Sequence, residues 1–270
     1  MIEPVPENKK NELEQAALPT DMAPWTWQQT WFAIALTILP WILLALALNS
    51  LGNSSNRSSA PLAFQVDLVS AIITFILSSI IEGAFLIAPF YYANKAFRAV
   101  KAHAHLVLAS LGFRAFSVRR AALLIIGFIV LIFVVNILYS DIITAFHLNL
   151  QTNDQVILAR SKQAPITTYA TLLAAVFIAP FCEEVFFRGF VFPGLRRKMP
   201  VALAIITSSL LFAIAHADVG SFAVLLVIGL MLAYVRWRTG SIWPGMLLHM
   251  LNNGIGAVSI LLVMWGVIKP

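Results

Sequence analysis

The sequence predicts an all-α, polytopic membrane protein with about seven transmembrane helices. Of its 270 residues, 60% are hydrophobic and only 11% are charged, so a soluble domain of this composition could not cover its surface with polar groups. The mean hydropathy is +0.87, and the apolar residues are concentrated in runs of about 20, the length that crosses a bilayer core. The single cysteine excludes a disulfide framework and any zinc site built on thiolates.

Seven apolar runs are candidates for transmembrane helices. Five of them are long enough for a full crossing: 31–48, 68–92, 121–139, 166–187 and 242–267. Two others, 201–215 and 222–235, are slightly short, and the polar stretch 216–220 separates them. The fifth and sixth helices are therefore the weakest of the seven predictions.

Charged residues predict the organisation and orientation of the chain. Residues 1–30 should form a solvated cytoplasmic tail, residues 31–165 three transmembrane helices with a basic connection, and residues 166–267 a core of about four helices. The connection after the second helix holds six basic residues and no acidic one, namely Lys95, Arg98, Lys101, Arg114, Arg119 and Arg120. The positive-inside bias places this connection in the cytoplasm, with segment 103–116 as an amphipathic helix at the membrane surface. We therefore expect a multi-pass protein of the cell membrane whose N-terminus is cytoplasmic.

A few ionisable side chains interrupt the apolar runs: Glu82, Glu183, Glu184, His216 and His249. A charge at mid-bilayer costs at least ~2.5–3.5 kcal/mol, so such residues usually have a task. On a helix, Glu184 and Arg188 are four residues apart and can neutralise each other. Glu183 is rotated by roughly 100° from Glu184 and is left as the unpaired carboxylate, which is a candidate general base or acid.

Residue counting predicts that three helices bring polar groups to one depth. Glu183 lies 17 residues before the turn at Pro200, and His216 lies 16 residues after it. At a rise of about 1.5 Å per residue, a helical hairpin returns His216 to the level of Glu183. His249 lies about eight residues into the last helix and shares a helical face with Asn253. The sequence therefore predicts a membrane-embedded cluster of one glutamate, two histidines and one asparagine.

Three motifs on successive hydrophobic helices carry a family resemblance. They are Glu183-Glu184-x-x-x-Arg188, Phe212-x-x-x-His216 and His249-x-x-x-Asn253. In this order they resemble the motifs of the CPBP family, the CAAX-processing and bacteriocin-processing intramembrane proteases that are also called Abi proteins. The resemblance covers residues 166–267 and implies an endopeptidase in which Glu183 activates water with the help of His216. It also implies that His249 and Asn253 stabilise the oxyanion, with Glu184, Arg188 and Phe212 in supporting positions.

The residues leave the role of a metal open between two mechanisms. In the favoured one no cofactor is required, and Glu183 is the base that later protonates the leaving amine. In the other, Glu183, His216 and His249 bind zinc, which makes the protein a metalloprotease with Glu184 as the base. The sequence has no HExxH pair, and pairing with Arg188 leaves Glu184 unavailable, which favours the metal-independent mechanism.

Other functions remain as alternatives to an intramembrane endopeptidase. The CPBP family includes bacteriocin-immunity proteins, so a membrane scaffold without turnover is the second hypothesis. A transporter that uses Glu82 and Glu183 as a proton relay is the third, and the absence of an internal repeat disfavours it. The expected partners are the lipid bilayer and a membrane-associated protein or peptide substrate, which could be prenylated. Nucleic acid is not expected, because the basic residues lie in a few loops rather than on one helical face.

Several remaining residues are expected to have no catalytic role. Cys182 is expected to be a core residue. His103, His105 and His147 lie in polar connections and should be solvated. Glu82 could support the polar cluster or pair with Arg188.

Overall fold

All regular structure in the described part of the chain is helical, as predicted. The computed structural model describes residues 20–53, 60–100 and 103–269, and these ranges contain no strand. We number their α-helices α1 Trp27–Asn53, α2 Phe64–Gly83, α3 Ile87–Phe97, α4 His103–Ser110, α5 Val118–Ala145, α6 Asn153–Ser161, α7 Pro165–Leu173, α8 Ala179–Glu183, α9 Phe192–Arg196, α10 Val201–Ala215, α11 Phe222–Thr239 and α12 Trp243–Met264. Of the predicted N-terminal tail, residues 1–19 lie outside the described ranges.

Six helical segments among the described residues are long and apolar enough to cross a membrane. They are Trp27–Ala45, Phe64–Phe97, Val118–Ala145, Pro165–Arg196, Phe222–Thr239 and Trp243–Met264. The predicted sixth helix extends to 18 residues and qualifies, whereas the predicted fifth, Val201–Ala215, has 15 residues and is shorter than a full crossing. The prediction of about seven membrane helices is therefore close to the observed architecture.

The helices of the N-terminal half expose large apolar side chains on their outer faces. Ile73 and Ile80 on α2, and Leu123, Ile126 and Ile137 on α5, are all exposed. A soluble protein rarely exposes apolar surface on this scale, whereas a bilayer covers it with hydrocarbon. The chain is an integral, multi-pass membrane protein.

The fourth membrane segment, Pro165–Arg196, is a helix with two widened turns. It adopts π geometry over Ala174–Ile178 and again over Glu184–Val191. Pro180 and Pro193 each lack an N–H and crowd the carbonyl four residues earlier, and in both cases that carbonyl lies in one of the π segments. Proline therefore accounts for the local widening, which sets the direction of the side chains from Glu183 to Arg188.

Asp67 on α2 caps the beginning of α7. Its carboxylate accepts hydrogen bonds from the backbone N–H of Ile166 at 2.8 Å and of Thr167 at 3.0 Å, and from the Thr167 hydroxyl at 2.7 Å. The N-cap residue of α7, Ala164, has no side chain that could do this. A carboxylate 99 residues away thus satisfies the free N–H groups at this helix start and fixes α2 against α7.

Two fully buried arginines connect the C-terminal helices. Arg188 pairs with Glu184, its Nη1 lying 2.8 Å from the carboxylate, and also donates to the carbonyl of Gly229 on α11. Arg236 on α11 donates to the carbonyls of Arg188 and Thr20. Arg236 lies in the last turn of α11, and its side chain is buried and hydrogen-bonded in the protein interior.

The segment predicted as a surface helix, 103–116, is only partly helical. Helix α4 ends at Ser110, and Gly112 adopts a positive φ of 87°, which turns the chain inward. Leu111 is fully buried, and its carbonyl would lie 2.7 Å from a Cβ at position 189, so Gly189 is needed for this close approach. The prediction of an amphipathic surface helix over the whole segment is therefore wrong for its C-terminal half.

Removing the carboxylate of Asp67 should destabilise the fold. Asp67→Ala leaves the N–H groups of Ile166 and Thr167 without their acceptor, so we expect the free energy of unfolding to fall by about 1.5–3 kcal/mol. Thermal unfolding in detergent or bicelles measures the change. Asp141→Asn, on an exposed aspartate, is the control and should have little effect. Equal stability of Asp67→Ala and this control would contradict the capping role.

Breaking the buried pair of Glu184 and Arg188 should reduce the yield of folded protein. Glu184→Gln or Arg188→Ala leaves an uncompensated buried charge, at a cost of ~3–5 kcal/mol. The double variant Glu184→Leu/Arg188→Met removes both charges and should recover much of the yield. Asp21→Asn breaks the less buried pair with Arg196 and should cost less. Wild-type yield and thermal stability for both single variants would show that the pair has no structural role.

Candidate active site

The hairpin of the fourth membrane segment and α10 brings Glu183 and His216 to the same depth. Glu183 ends α8, and His216 directly follows the last residue of α10. The Nε2 atom of His216 lies 3.9 Å from Oε2 of Glu183. The two residues therefore meet as residue counting predicted.

His249 on α12 completes a group of three around the same carboxylate. Its Nε2 lies 3.8 Å from Oε2 of Glu183, and its Nδ1 lies 3.4 Å from Oε1 of Glu184. His249 reaches this depth only six residues into α12 because the helix starts inside the protein. Before it, the buried Ser241 donates to the carbonyl of Arg114, and the backbone N–H of Ile242 donates to the carbonyl of Gly112.

The two neighbouring glutamates have different environments. Glu184 is fully buried and pairs with Arg188 at 2.8 Å. The Oε2 atom of Glu183 is buried and has no hydrogen-bond partner among the described residues. The geometry therefore agrees with the prediction that Glu184 is neutralised and that Glu183 is the free carboxylate.

Phe212, one helical turn before His216, contacts its ring through both the backbone carbonyl and the side chain. Its backbone carbonyl lies 2.8 Å from Nδ1 of His216, so Nδ1 carries the proton in this contact and Nε2 offers a lone pair towards Glu183. The fully buried Phe212 ring lies 4.5 Å from the ring of His216 and 5.6 Å from that of His249. The Arg188 guanidinium packs over the Phe212 ring at 4.4 Å. Phe212 thus contacts both histidines and Arg188.

Asn253 lies on the face of α12 that carries His249, but its amide is already hydrogen-bonded. Its Nδ2 donates to the carbonyl of Ala175 at 2.9 Å, and its Oδ1 accepts from Asn252 at 3.1 Å. The π segment that contains Ala175 provides this acceptor. One amide hydrogen of Asn253 is engaged in this way, and the second is left for another acceptor.

A cavity of about 640 Å³ lies against the two histidines. His216, His249 and Asn253 line it together with residues of α5, α6 and α11. Asp154 and Asp218 also line it, and sequence analysis missed both. The only signal for Asp218 was its place in the polar stretch 216–220, and nothing in the sequence connects Asp154 with the three motifs.

The other ionisable residues and the cysteine that the sequence analysis named lie outside the group of Glu183, His216 and His249. Cys182 is buried as a free thiol, as expected for a core residue. His103, His105 and His147 are exposed. The Oε2 atom of Glu82 is buried and has no hydrogen-bond partner among the described residues. Among these residues Arg188 forms its ion pair with Glu184 and not with Glu82. Glu82 belongs to α2, which packs against α8, the helix that ends at Glu183.

Sequence comparisons match the part of the chain that contains the three motifs. Residues 165–255, about a third of the chain, match the family model described as "Type II CAAX prenyl endopeptidase Rce1-like". The chain is 42% identical over 98 residues to an "Uncharacterized protein" of Mycoplasma capricolum, covering 34% of this chain and 28% of that protein. It is 29% identical over 101 residues to the "Putative membrane peptidase YdiL" of Bacillus subtilis, covering 37% and 40% of the two chains. No solved structure matches the chain.

These matches cover only part of this chain and part of each relative. The chain spans only about a third of the length of these two relatives. The family match includes all three motifs, from Glu183 to Asn253, and leaves α1 to α6 outside it. The resemblance predicted from the motifs is therefore confirmed for residues 165–255, which carry the signature of the Rce1-like family of type II CAAX prenyl endopeptidases.

Proposed function

We propose that the protein is an intramembrane endopeptidase that hydrolyses a peptide bond in a membrane-associated protein or peptide, with a water molecule activated by Glu183. The observation that carries this proposal is the buried Glu183 carboxylate, which faces Nε2 of His216 and of His249 and has no hydrogen-bond partner among the described residues. A carboxylate in this environment can accept a proton from water. The family match at residues 165–255 supports the same class of reaction.

In the proposed mechanism, Glu183 and His216 act together on the attacking water. Glu183 takes one proton from the water, and Nε2 of His216 accepts the second O–H, because its Nδ1 is held by the carbonyl of Phe212. The resulting hydroxide adds to the peptide carbonyl, and Glu183 returns its proton to the leaving amine as the C–N bond breaks. The products are an amine and a carboxylic acid that then loses its proton to solvent, so the atoms of the peptide and of one water are all accounted for.

The developing oxyanion requires hydrogen-bond donors in the cavity beside Glu183. His249 can donate from Nε2, and the second amide hydrogen of Asn253 points from the same helix face. Protonated His249 also balances charge, because Glu183 and Glu184 carry two negative charges and Arg188 one positive charge. The 3.4 Å contact of Nδ1 with Oε1 of Glu184 is an ion pair whenever His249 is protonated.

The same residues have the donor chemistry of a zinc site, but their arrangement favours the metal-independent mechanism. Zinc would be held by Glu183, His216 and His249 and would supply an activated water. The Glu183 oxygen lies 3.8 and 3.9 Å from the two imidazole nitrogens, close enough for the three side chains to surround one ion. The metal-independent mechanism is favoured because Glu184, the base of the zinc mechanism, is paired with Arg188.

The charge pattern supports a cytoplasmic N-terminus and location in the cell membrane. The basic connection around Arg98 and Arg119 then lies in the cytoplasm, and helix α6 lies on the opposite side of the membrane. A prenylated substrate is suggested only by the family description. A bacteriocin-immunity protein or a membrane scaffold without turnover is the alternative function, and Glu183-dependent proteolysis distinguishes the two.

Loss of the Glu183 carboxylate should abolish proteolysis without preventing membrane insertion. Glu183→Gln keeps the shape of the side chain but removes the base, and His216→Ala removes its partner in holding water. Quantitative proteomics of membrane peptides should show products in cells with wild-type protein that are missing with either variant. Asp141→Asn serves as the control and should keep these products. An identical set of peptides in all four strains would overturn the proposed function in favour of a scaffold.

Removal of metal should leave the activity intact. Once the proteomic comparison has identified a substrate, protein treated with a membrane-permeant chelator and shown by elemental analysis to be metal-free should cleave it at the untreated rate. His249→Ala should then lower turnover by ~10²–10³ with little change in substrate affinity, as expected for one oxyanion donor. Loss of activity on stripping, with recovery on adding stoichiometric zinc, would contradict the metal-independent mechanism.

A further inference from the structure

A second pocket, of about 520 Å³, lies at the surface near the end of the second membrane segment. Its volume is within the range of pockets that bind small molecules. We call it the basic pocket, and its lining residues, all exposed, come from α3, from the position after α3 and from the first position of α4: Tyr91, Asn94, Lys95, Arg98 and His103. It shares no lining residue with the cavity beside Glu183.

The basic pocket carries positive charge that the described residues do not compensate. Lys95 and Arg98 line it, whereas none of the described residues that line it is an aspartate or a glutamate. The ion pairs within the described part of the chain involve neither of these two cations. Further donors are the Tyr91 hydroxyl, the His103 ring and one amide hydrogen of Asn94, whose other is donated within α3. This set of donors suits a phosphate group, which is anionic and has several acceptor oxygens.

The length of the second membrane segment places the basic pocket at the level of the lipid headgroups. The segment Phe64–Phe97 has 34 residues, which is about 51 Å of helix, whereas the hydrocarbon core is about 30 Å thick. Large exposed apolar side chains extend along it from its first residue to Ile87, over about 35 Å. Tyr91 follows one turn later, and tyrosine is enriched at the membrane–water interface. The two cations follow Ile87 by two and three turns, and therefore lie among the headgroups.

An apolar strip runs from the basic pocket towards the middle of the membrane. Ile73, Ile80 and Ile87 are spaced seven residues apart, and all three are exposed. Residues at this spacing lie on roughly one side of a helix, and Tyr91, four residues after Ile87, continues that side. Because Tyr91 also lines the basic pocket, the strip and the pocket form one continuous surface. This surface has the polarity of a phospholipid, with an apolar part for an acyl chain and a cationic part for a phosphate.

We propose that the basic pocket binds the phosphate group of an anionic phospholipid, whose acyl chain lies along the apolar strip. Basic pockets at headgroup depth are a recognised type of site for such lipids. A zwitterionic lipid gains less from Lys95 and Arg98, because its own positive group compensates its phosphate. A free phosphate ion would leave the apolar strip unused. The binding is separate from the proposed function, since it requires neither Glu183 nor turnover.

A lipid bound in this way contacts both α3 and α4, so it should stabilise the fold. Helix α4 leads into Leu111 and Gly112, and the carbonyl of Gly112 accepts a hydrogen bond from the backbone N–H of Ile242, just before α12. A ligand that binds the folded chain and not the unfolded chain raises the melting temperature by mass action. Thermal unfolding is therefore a second readout of the same site.

Lipid binding measured by native mass spectrometry tests the proposal. The full chain in detergent is titrated with dioctanoyl phosphatidylglycerol and with dioctanoyl phosphatidylcholine, which has the same acyl chains but no net charge. One cation near an anionic lipid contributes about five-fold to affinity, so two cations predict that phosphatidylglycerol binds roughly 30-fold more tightly. Inorganic phosphate should bind far more weakly than phosphatidylglycerol. Equal binding of the two lipids would overturn the proposal, and inorganic phosphate that binds as tightly as phosphatidylglycerol would overturn the lipid as the ligand.

Replacing the two cations assigns the preference to the basic pocket. Lys95→Gln/Arg98→Gln should lower the affinity for phosphatidylglycerol roughly 30-fold, to about that for phosphatidylcholine. Arg119→Gln/Lys198→Gln also removes one lysine and one arginine, from exposed positions outside the pocket, and should keep the wild-type affinity. Phosphatidylglycerol should raise the melting temperature of the wild-type chain and of this control, but not of the pocket variant. Unchanged affinity in the pocket variant, or an equal loss in the control, would overturn the proposal.

A photoreactive lipid locates the site in the wild-type chain without any substitution. Phosphatidylglycerol with a diazirine in its headgroup should label peptides that contain residues 91–98 or His103. An excess of dioctanoyl phosphatidylglycerol should suppress this labelling, and the same excess of dioctanoyl phosphatidylcholine should not. Labelling confined to other peptides, or suppressed equally by both lipids, would overturn the proposal.

Discussion

The buried ion pair between Glu184 and Arg188 is the interaction on which the candidate site depends. Both side chains are fully buried, so each charge would be unfavourable without the other. The pair decides which of two adjacent glutamates is neutralised, and thereby leaves Glu183 free. Arg188 also packs on the ring of Phe212, whose carbonyl orients His216. One guanidinium thus links the carboxylate, the aromatic support and one of the histidines.

Backbone geometry holds this pair and the histidines at one depth. The π segment that begins at Glu184 sets the direction of Arg188, and it precedes a proline that disfavours regular α-helical hydrogen bonding. On the other side, α12 begins inside the protein because Ser241 and Ile242 are hydrogen-bonded to the backbone of residues 112–114. The second turn of α12 therefore brings His249 to Glu183. Irregular segments, rather than long regular helices, position the candidate catalytic groups.

Local rules predicted much of the architecture and of the site. The meeting of Glu183 and His216 follows from counting residues on both sides of Pro200, and the pairing of Glu184 with Arg188 follows from their four-residue spacing. Both depend only on helix geometry.

Features that depend on contacts between distant segments were not predictable in this way. The inward turn at Gly112, the burial of Arg236 and the cap that Asp67 provides for α7 each join residues far apart in sequence. Asp154 was missed for the same reason, since it approaches α12 only in the folded chain. Asn253 was predicted from the motif as an oxyanion donor, but sequence could not show that Ala175 occupies one of its hydrogens.

In the proposed mechanism Glu183 acts on water and is not itself the nucleophile. A single turnover in H₂¹⁸O, with the protein in excess over a substrate, distinguishes these two roles. If Glu183 activates water, one ¹⁸O atom enters the new C-terminal carboxylate of the product, and none is found in the Glu183 carboxylate by mass spectrometry of the digested protein. Incorporation of ¹⁸O into Glu183, with unlabelled product, would contradict this mechanism, because it would show that the carboxylate attacks the substrate and that water then releases it.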